Sequence, residues 1–139
     1  MRPSILLVED NDADIRLMKE ALAEAQVEAD LIIERDGADG LDRLSAAADE
    51  HALPDLVVTN INMPRVDGCE LTDLIRKDPR LNHLRVLVIS TSDRDEDRYR
   101  CRRADAFWGK GFTWDEAVDL ARQIGSMVAE PAQVDDGGS

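Results

Sequence analysis

Short, unbroken apolar runs recur along the chain, and between them apolar residues return every three or four positions. Runs of this kind, rich in β-branched residues, are typical of strands buried on both faces of a parallel sheet. The predicted strands are Ser4–Val8, Leu31–Ile33, Leu56–Val58, Val86–Ile89 and Ala106–Trp108. Strand and helix patterns therefore alternate five times. This alternation predicts an α/β domain with a doubly wound parallel sheet and helices on both faces.

The helical stretches are bounded by residues that start or stop helices. Asp12 and Thr113 can cap the first and last helices, and a third helix begins near Cys69. This helix ends at Asp78, because Pro79 disfavours helical backbone in the residue before it. The apolar positions with helical spacing are Ile15, Met18, Ala21, Leu22, Ala25, Ala38, Leu41, Leu44, Ala48, Leu71, Leu74, Ile75, Ala117, Val118, Leu120, Ala121, Ile124, Met127 and Val128.

The length of 139 residues suits one domain with a single core. We expect residues 1–129 to form this domain and the Gly/Asp-rich residues 130–139 to be a disordered tail. No apolar run could span a bilayer and no signal-peptide pattern is visible, so a cytoplasmic protein without membrane contact is expected. The net charge of -13 argues against nucleic-acid binding, because a duplex repels such a surface.

The cysteine and histidine content favours neither a disulfide framework nor a zinc site. Cys69 and Cys101 are expected to stay as two reduced thiols. His51 and His83 share no ligand spacing with them, which makes a zinc site a poor fit.

Notable polar residues stand where predicted strands end. Glu9 and Asp10 follow the first strand, Asn60 the third, Ser90 the fourth and Lys110 the fifth. In a flavodoxin-like strand order of 2-1-3-4-5 the first, third and fourth strands are neighbours, so these side chains could converge. Carboxylates, an amide and carbonyls suit a hard cation such as Mg²⁺. A hydroxyl and a lysine opposite them would suit phosphoryl oxygens.

At these residues the sequence resembles a known family, the response-regulator receiver domains, the CheY-like phosphoacceptors of two-component signalling. The resemblance covers about residues 4–128. The motifs that carry it are Leu6–Asn11, Pro54–Leu56, Asn62–Arg65 and Asp67-Gly68. It implies the flavodoxin-like five-stranded fold. The segments Asp78-Pro79 and Ser90-Thr91-Ser92 look most like small single-domain regulators that partner phytochrome-type histidine kinases.

The resemblance also implies roles for single residues. Ser90 matches the switch hydroxyl, Phe107 the switch aromatic and Lys110 the phosphate-contacting lysine. The implied metal ligands, for a weak Mg²⁺ site, are Glu9, Asp10 and Asn62. The implied partner is a sensor histidine kinase or another signalling protein, and a second copy of the chain stays open as a partner.

Three positions depart from the family pattern. The phosphoacceptor aspartate falls on Asn60, the proline after the lysine is Gly111, and the Gly-Ala pair before the last strand reads Arg103-Ala104. The bond from Lys110 to Gly111 is therefore predicted to be trans, because a cis peptide is cheap only before proline.

The first departure decides the chemistry. An amide cannot attack a phosphoryl group appreciably, whereas a carboxylate can. Either Asn60 is native and the chain is a pseudo-receiver, or an ordinary phosphoacceptor carries an engineered Asp-to-Asn change. Neither version is expected to be an enzyme. A flavin-binding protein of the same fold is a third hypothesis, but the acidic loop that begins at Glu9 would repel a phosphate.

The segment Asp93–Arg103 is strongly charged and looks helical. Arg94, Arg98 and Arg102 lie on one face of such a helix. The residues available for burial are Tyr99, Cys101 and Ala104. A solvated face is one interpretation, and a partner surface, which the family resemblance implies, is the other. The thin apolar content predicts a marginal helix.

Overall fold

A computed structural model of the chain describes residues 2–90, 95–109 and 111–129. Strands and helices alternate throughout these residues. The elements are β1 (Ser4–Val8), α1 (Asp12–Glu24), β2 (Asp30–Glu34), α2 (Gly37–Asp49), β3 (Leu56–Asn60), α3 (Gly68–Lys77), β4 (Val86–Ile89), α4 (Asp95–Arg100), β5 (Ala106–Trp108) and α5 (Trp114–Ala129). The tail predicted at residues 130–139 lies outside the described residues.

The strands form one parallel sheet in the order β2-β1-β3-β4-β5, which confirms the predicted flavodoxin-like topology. Each strand alternates between two cores. In β1, Ile5 and Leu7 face the core shared with α1 and α5, whereas Leu6 and Val8 face the core shared with α2 and α3. In the described part of the chain, no helix combines the length and apolar character needed to cross a membrane.

Two helix boundaries differ from the sequence prediction. Asn11, and not Asp12, caps α1: its side-chain oxygen accepts a hydrogen bond from the backbone of Asp14 at 2.9 Å. α4 is described from Asp95 to Arg100, where it ends three positions before the predicted Arg103, and none of these residues is buried; the predicted positions Asp93 and Arg94 lie outside the described residues. Tyr99, one of the candidates for burial, is 66% exposed.

The prediction of two reduced thiols is wrong. Cys69 and Cys101 form a disulfide with a Cα–Cα distance of 4.7 Å, and both are buried. The two residues are 32 positions apart, so their spacing gave no sign of the pairing. The bond holds the first turn of α3 beside the residue that follows α4.

Arg76, on α3, joins that helix to the segments before β4 and β5. Its guanidinium donates hydrogen bonds to the backbone oxygens of Asn82, Leu84 and Arg103 at 3.0, 2.6 and 3.0 Å, and to the carboxylate of Asp105 at 2.9 Å. The side chain is only 18% exposed, so these bonds are partly shielded from water. Arg76 therefore fixes the distance between α3 and the amino ends of two strands.

We expect Arg76→Met to lower the free energy of unfolding by about 2 kcal/mol, because three carbonyls and a carboxylate lose a charged donor. Urea unfolding would measure the change. The matched control is Arg122→Met on α5, since Arg122 is 65% exposed and pairs with Asp119 of its own helix. An equal effect in the two variants would contradict the role assigned to Arg76.

Candidate functional site

The carboxyl ends of β1, β3 and β4 meet at one edge of the sheet. Val8 pairs in register with Thr59, and Asn60 with Ile89, so the residues that follow lie side by side. The amide nitrogen of Asn60 donates a hydrogen bond to the carboxylate of Glu9 at 3.2 Å. Two side chains that are 51 positions apart in the chain are thus in direct contact.

Glu9 is a buried acid, with only 6% of its surface exposed. Its carboxylate also accepts a hydrogen bond from the backbone of Asn11 at 3.1 Å. Burial raises the pKa of Glu9 from 4.5 to about 7, and the charges of Asp14 and Asp10 raise it as well, whereas the hydrogen bonds from Asn11 and Asn60 lower it. Glu9 therefore changes its charge near neutral pH.

The other two predicted metal ligands stand at the rim. Asp10 and Asn62 are both exposed, the first directly after Glu9 and the second in the loop that leaves β3. Within residues 2–90, 95–109 and 111–129, no three or more His, Cys, Asp and Glu side chains are arranged to hold a metal ion. An acid at position 60 would add a third carboxylate beside Glu9 and Asp10, and the amide does not.

The predicted switch residues lie on the neighbouring strands. Ser90 is buried directly after β4, and its backbone N–H donates to the carbonyl of Trp108 at 2.8 Å. Phe107, on β5, is half-buried, and the guanidinium carbon of Arg98 lies 4.8 Å from its ring centroid. Lys110 and its bond to Gly111 lie outside the described residues, so the predicted lysine contact and trans peptide stay predictions.

The loop between β3 and α3 is packed tightly against the strand end. The backbone N–H of Gly68 donates to the carbonyl of Ile61 at 2.9 Å. A Cβ at position 68 would lie 2.4 Å from the carbonyl oxygen of Asn60, and one at Gly37 would lie 2.1 Å from that of Val66. Glycine is required at both positions, because only hydrogen allows the backbones to approach so closely.

Ion pairs tie the same loop to α2. Arg65 has a φ of 66°, an uncommon conformation for a side-chain-bearing residue. Its guanidinium binds Asp36 through two nitrogens, at 2.6 and 3.2 Å, and contacts Asp39 at 3.3 Å. The backbone N–H of Asp39 and then Arg65 itself hold the pKa of Asp36 below its ordinary value.

A second ion pair ties the loop to α4. Asp67 accepts a hydrogen bond from Arg100 at 2.7 Å and also caps α3 in a capping box with Glu70. The contacts of Arg65 and Arg100 could not be predicted from the sequence, since each joins residues about thirty positions apart. The positive φ of Arg65 has no sequence signal of its own.

Comparisons with known proteins agree with this geometry. Residues 5–110 match the family described as the response regulator receiver domain. The chain is 36% identical over 95 residues to response regulator Rcp1 of Synechocystis sp., an alignment that covers 67% of this chain and 65% of Rcp1, just under two thirds of that relative's length. It is 31% identical over 112 residues to the polar-differentiation response regulator DivK of Brucella anthropi, covering 79% of this chain and 85% of DivK.

Solved structures show the same relationship. The crystal structure of the phosphorylated cyanobacterial phytochrome response regulator RcpA superposes with a TM-score of 0.83 at 30% identity, over 96% of this chain and 98% of RcpA. The Mn²⁺-bound form of Rcp1 gives a TM-score of 0.80 at 28% identity, over 96% of this chain and 99% of Rcp1. Sequence and fold lead to one conclusion: this chain belongs to the response regulator receiver domain family.

Proposed function

We propose that this chain is a two-component receiver module that is not phosphorylated at Asn60 and acts through protein–protein interactions. The observation that carries the proposal is the hydrogen bond from the amide of Asn60 to the carboxylate of Glu9. At the strand end where the family carries its phosphoacceptor aspartate, this chain has the amide of Asn60, which donates a hydrogen bond to Glu9. The chain is accordingly not an enzyme.

The chemistry of the two groups supports this proposal. A carboxylate oxygen can attack phosphorus and form an acyl phosphate while the leaving group departs. The nitrogen lone pair of an amide is delocalised into its carbonyl, so Asn60 cannot perform the same attack. Ser90 and Phe107 keep the switch positions of the family, and Lys110 keeps the position that contacts phosphate.

The donor set fits Mg²⁺ weakly or not at all. Glu9, Asp10 and Asn62 would hold the ion through oxygen atoms, which Mg²⁺ prefers, and the ion would neutralise the acidic rim. Against tight binding, Glu9 is buried with a pKa of about 7, and Asn60 already satisfies part of its charge by donating a hydrogen bond. The relative Rcp1 has a Mn²⁺-bound form.

The partners follow from the family. We propose that the chain works in the cytoplasm with a sensor histidine kinase or another signalling protein, without nucleic acid or membrane. Similarity to the phytochrome response regulator RcpA supports a phytochrome-type kinase. A second copy of the chain remains open as a partner, and the exposed arginines of α4 offer a surface for a partner.

The retained pocket favours a second candidate function. Glu9, Asp10, Ser90 and Lys110 are all present, as expected of an ordinary phosphoacceptor in which an aspartate at position 60 has been replaced by design. The encoding gene distinguishes the two. The flavin hypothesis is weaker, since Glu9, Asp10 and Asp12 surround the first strand end. A colourless purified protein would contradict it.

We expect no adduct when the protein is incubated with acetyl phosphate and Mg²⁺ and its intact mass is measured. An Asn60→Asp variant is expected to gain the mass of one phosphoryl group, because a nucleophilic carboxylate then stands beside Glu9. Asn82→Asp, which adds the same charge at an exposed position away from the site, is the matched control and should stay unlabelled. A phosphoryl adduct on the unsubstituted chain would overturn the proposal.

Labelling of Asn60→Asp alone would mean that the rest of the receiver pocket is intact. If neither the unsubstituted chain nor Asn60→Asp is labelled, the result would favour a pseudo-receiver whose other pocket residues have also diverged in function. Both outcomes agree with an inert Asn60.

A further inference from the structure

The Cys69–Cys101 disulfide joins two segments with very different attachments to the fold. Cys69 lies in the first turn of α3, directly after Gly68, which packs against the carbonyl of Asn60. Cys101 directly follows α4. The bond thus connects the start of α3, next to the candidate site, to the residue that follows the surface helix α4.

α4 depends on contacts at its carboxyl end. None of the residues Asp95–Arg100 is buried, so the helix has no apolar face packed on the sheet. Cys101, in contrast, is 2% exposed and belongs to the core shared with α3. Beside it, Arg100 pairs with Asp67 at 2.7 Å, and Arg98 covers Phe107 at 4.8 Å. Helices without a packed apolar face are marginal in water, which makes these contacts decisive for α4.

We propose that Cys69 and Cys101 form a thiol–disulfide site at which a dithiol reductant releases α4 from the first turn of α3. The oxidised pair holds α4 against α3, and the reduced pair leaves the helix attached by its exposed side chains. Arg98 then loses its fixed position over Phe107. The inference concerns the attachment of α4 and is independent of whether Asn60 can be phosphorylated.

Reduction of the Cys69–Cys101 disulfide takes two electrons, which the dithiol reductant supplies as it becomes a disulfide itself. A reductant thiolate attacks Sγ of Cys101, the bond between the two cysteines breaks, and Cys69 departs as a thiolate and takes up a proton. The first turn of α3 favours negative charge on Cys69, which makes it the better leaving group. The second thiolate of the reductant then attacks the mixed disulfide, and Cys101 is released as a thiol while the reductant becomes a disulfide.

The proposed cytoplasmic location supports a Cys69–Cys101 disulfide that forms and breaks reversibly. We propose a cytoplasmic location for this chain, and there disulfides are usually transient, catalytic or redox-sensing. Both cysteines are buried, so a reductant reaches the bond during transient local openings of the structure. The bond joins two cysteines that are 32 positions apart, and one of them directly follows the short surface helix α4. We therefore expect the rest of the domain to stay folded when the bond is reduced.

Hydrogen exchange followed by mass spectrometry tests the proposal on the full chain. The protein is first equilibrated with oxidised glutathione and then measured with and without dithiothreitol. Amides of Asp95–Arg100 are expected to exchange at least tenfold faster after reduction (about 1.4 kcal/mol per tenfold change), while amides of Asp12–Glu24 in α1 stay unchanged. A Cys69→Ala/Cys101→Ala double variant should exchange rapidly in this segment with or without reductant.

Three results would overturn the proposal. The first is equal exchange in α4 before and after complete reduction. The second is faster exchange throughout the domain, which would make the bond a structural cross-link. The third is alkylation of both cysteines by iodoacetamide after the glutathione treatment, since that would mean that the pair does not form.

Discussion

A Glu9→Gln variant is expected to become more stable than the unsubstituted protein as pH rises, by about 3 kcal/mol above pH 7 in the absence of divalent cations. The pKa of Glu9 is raised to about 7 in the folded protein from an ordinary value of 4.5, mainly because the carboxyl is buried. Below pH 4.5 the side chain is protonated in both the folded and the unfolded chain, so its titration does not lower the free energy of unfolding. Between pH 4.5 and about 7 the unfolded chain releases this proton while the folded chain keeps it, so stability falls as pH rises, and the loss is complete above about pH 7.

Glutamine keeps an oxygen that accepts from Asn11 and Asn60 and never becomes charged. Urea unfolding of both proteins at pH 4.5 and pH 8, in the presence of a chelator, would measure the difference. The matched control is Glu20→Gln, which removes an acid of the same type from the exposed surface of α1. Identical pH dependence in Glu9→Gln and the unsubstituted chain would contradict the raised pKa of Glu9.

Gly68→Ala is expected to lower the free energy of unfolding by about 3 kcal/mol, because the added methyl group cannot be accommodated. Its Cβ would lie 2.4 Å from the carbonyl oxygen of Asn60 and 3.0 Å from the Cα of Ile61, and both are backbone atoms that cannot rotate away. The loop must therefore move from the end of β3, which would also displace the backbone at the candidate site.

Thermal and urea unfolding would measure this loss. Gly40→Ala, in α2, is the matched control: the nearest atoms to its Cβ would be side-chain methyl carbons of Val8 and Leu71, the closest at 3.1 Å, and no backbone atom is among them. We expect that control to lose less than about 1 kcal/mol. Equal losses in the two variants would mean that the close approach at Gly68 is not the cause.

The sheet was predictable because its strands are buried on both faces. Each β-strand is an apolar run, and the order β2-β1-β3-β4-β5 then follows from the alternation with helices and from the family resemblance. The contact between Glu9 and Asn60 was predictable for the same reason, since both residues stand at the ends of neighbouring central strands.

The surface elements were harder to predict. α4 is short and exposed because its charged residues give it no apolar face, so its boundaries left little pattern in the sequence. The pairing of Cys69 with Cys101 depends on the position of that helix in space, which the spacing of two cysteines does not encode. The cap of α1 was misplaced by one residue, because Asn11 and Asp12 are both good capping residues.

Arg65 sets a limit on improving this protein by substitution. Glycine would relieve the unfavourable backbone at a φ of 66°, but it would discard the guanidinium that joins Asp36 and Asp39. Lysine would keep the charge and the strain while losing the forked geometry. No single replacement satisfies both demands, so the position is a compromise between backbone and side chain that mutational optimisation of stability should leave untouched.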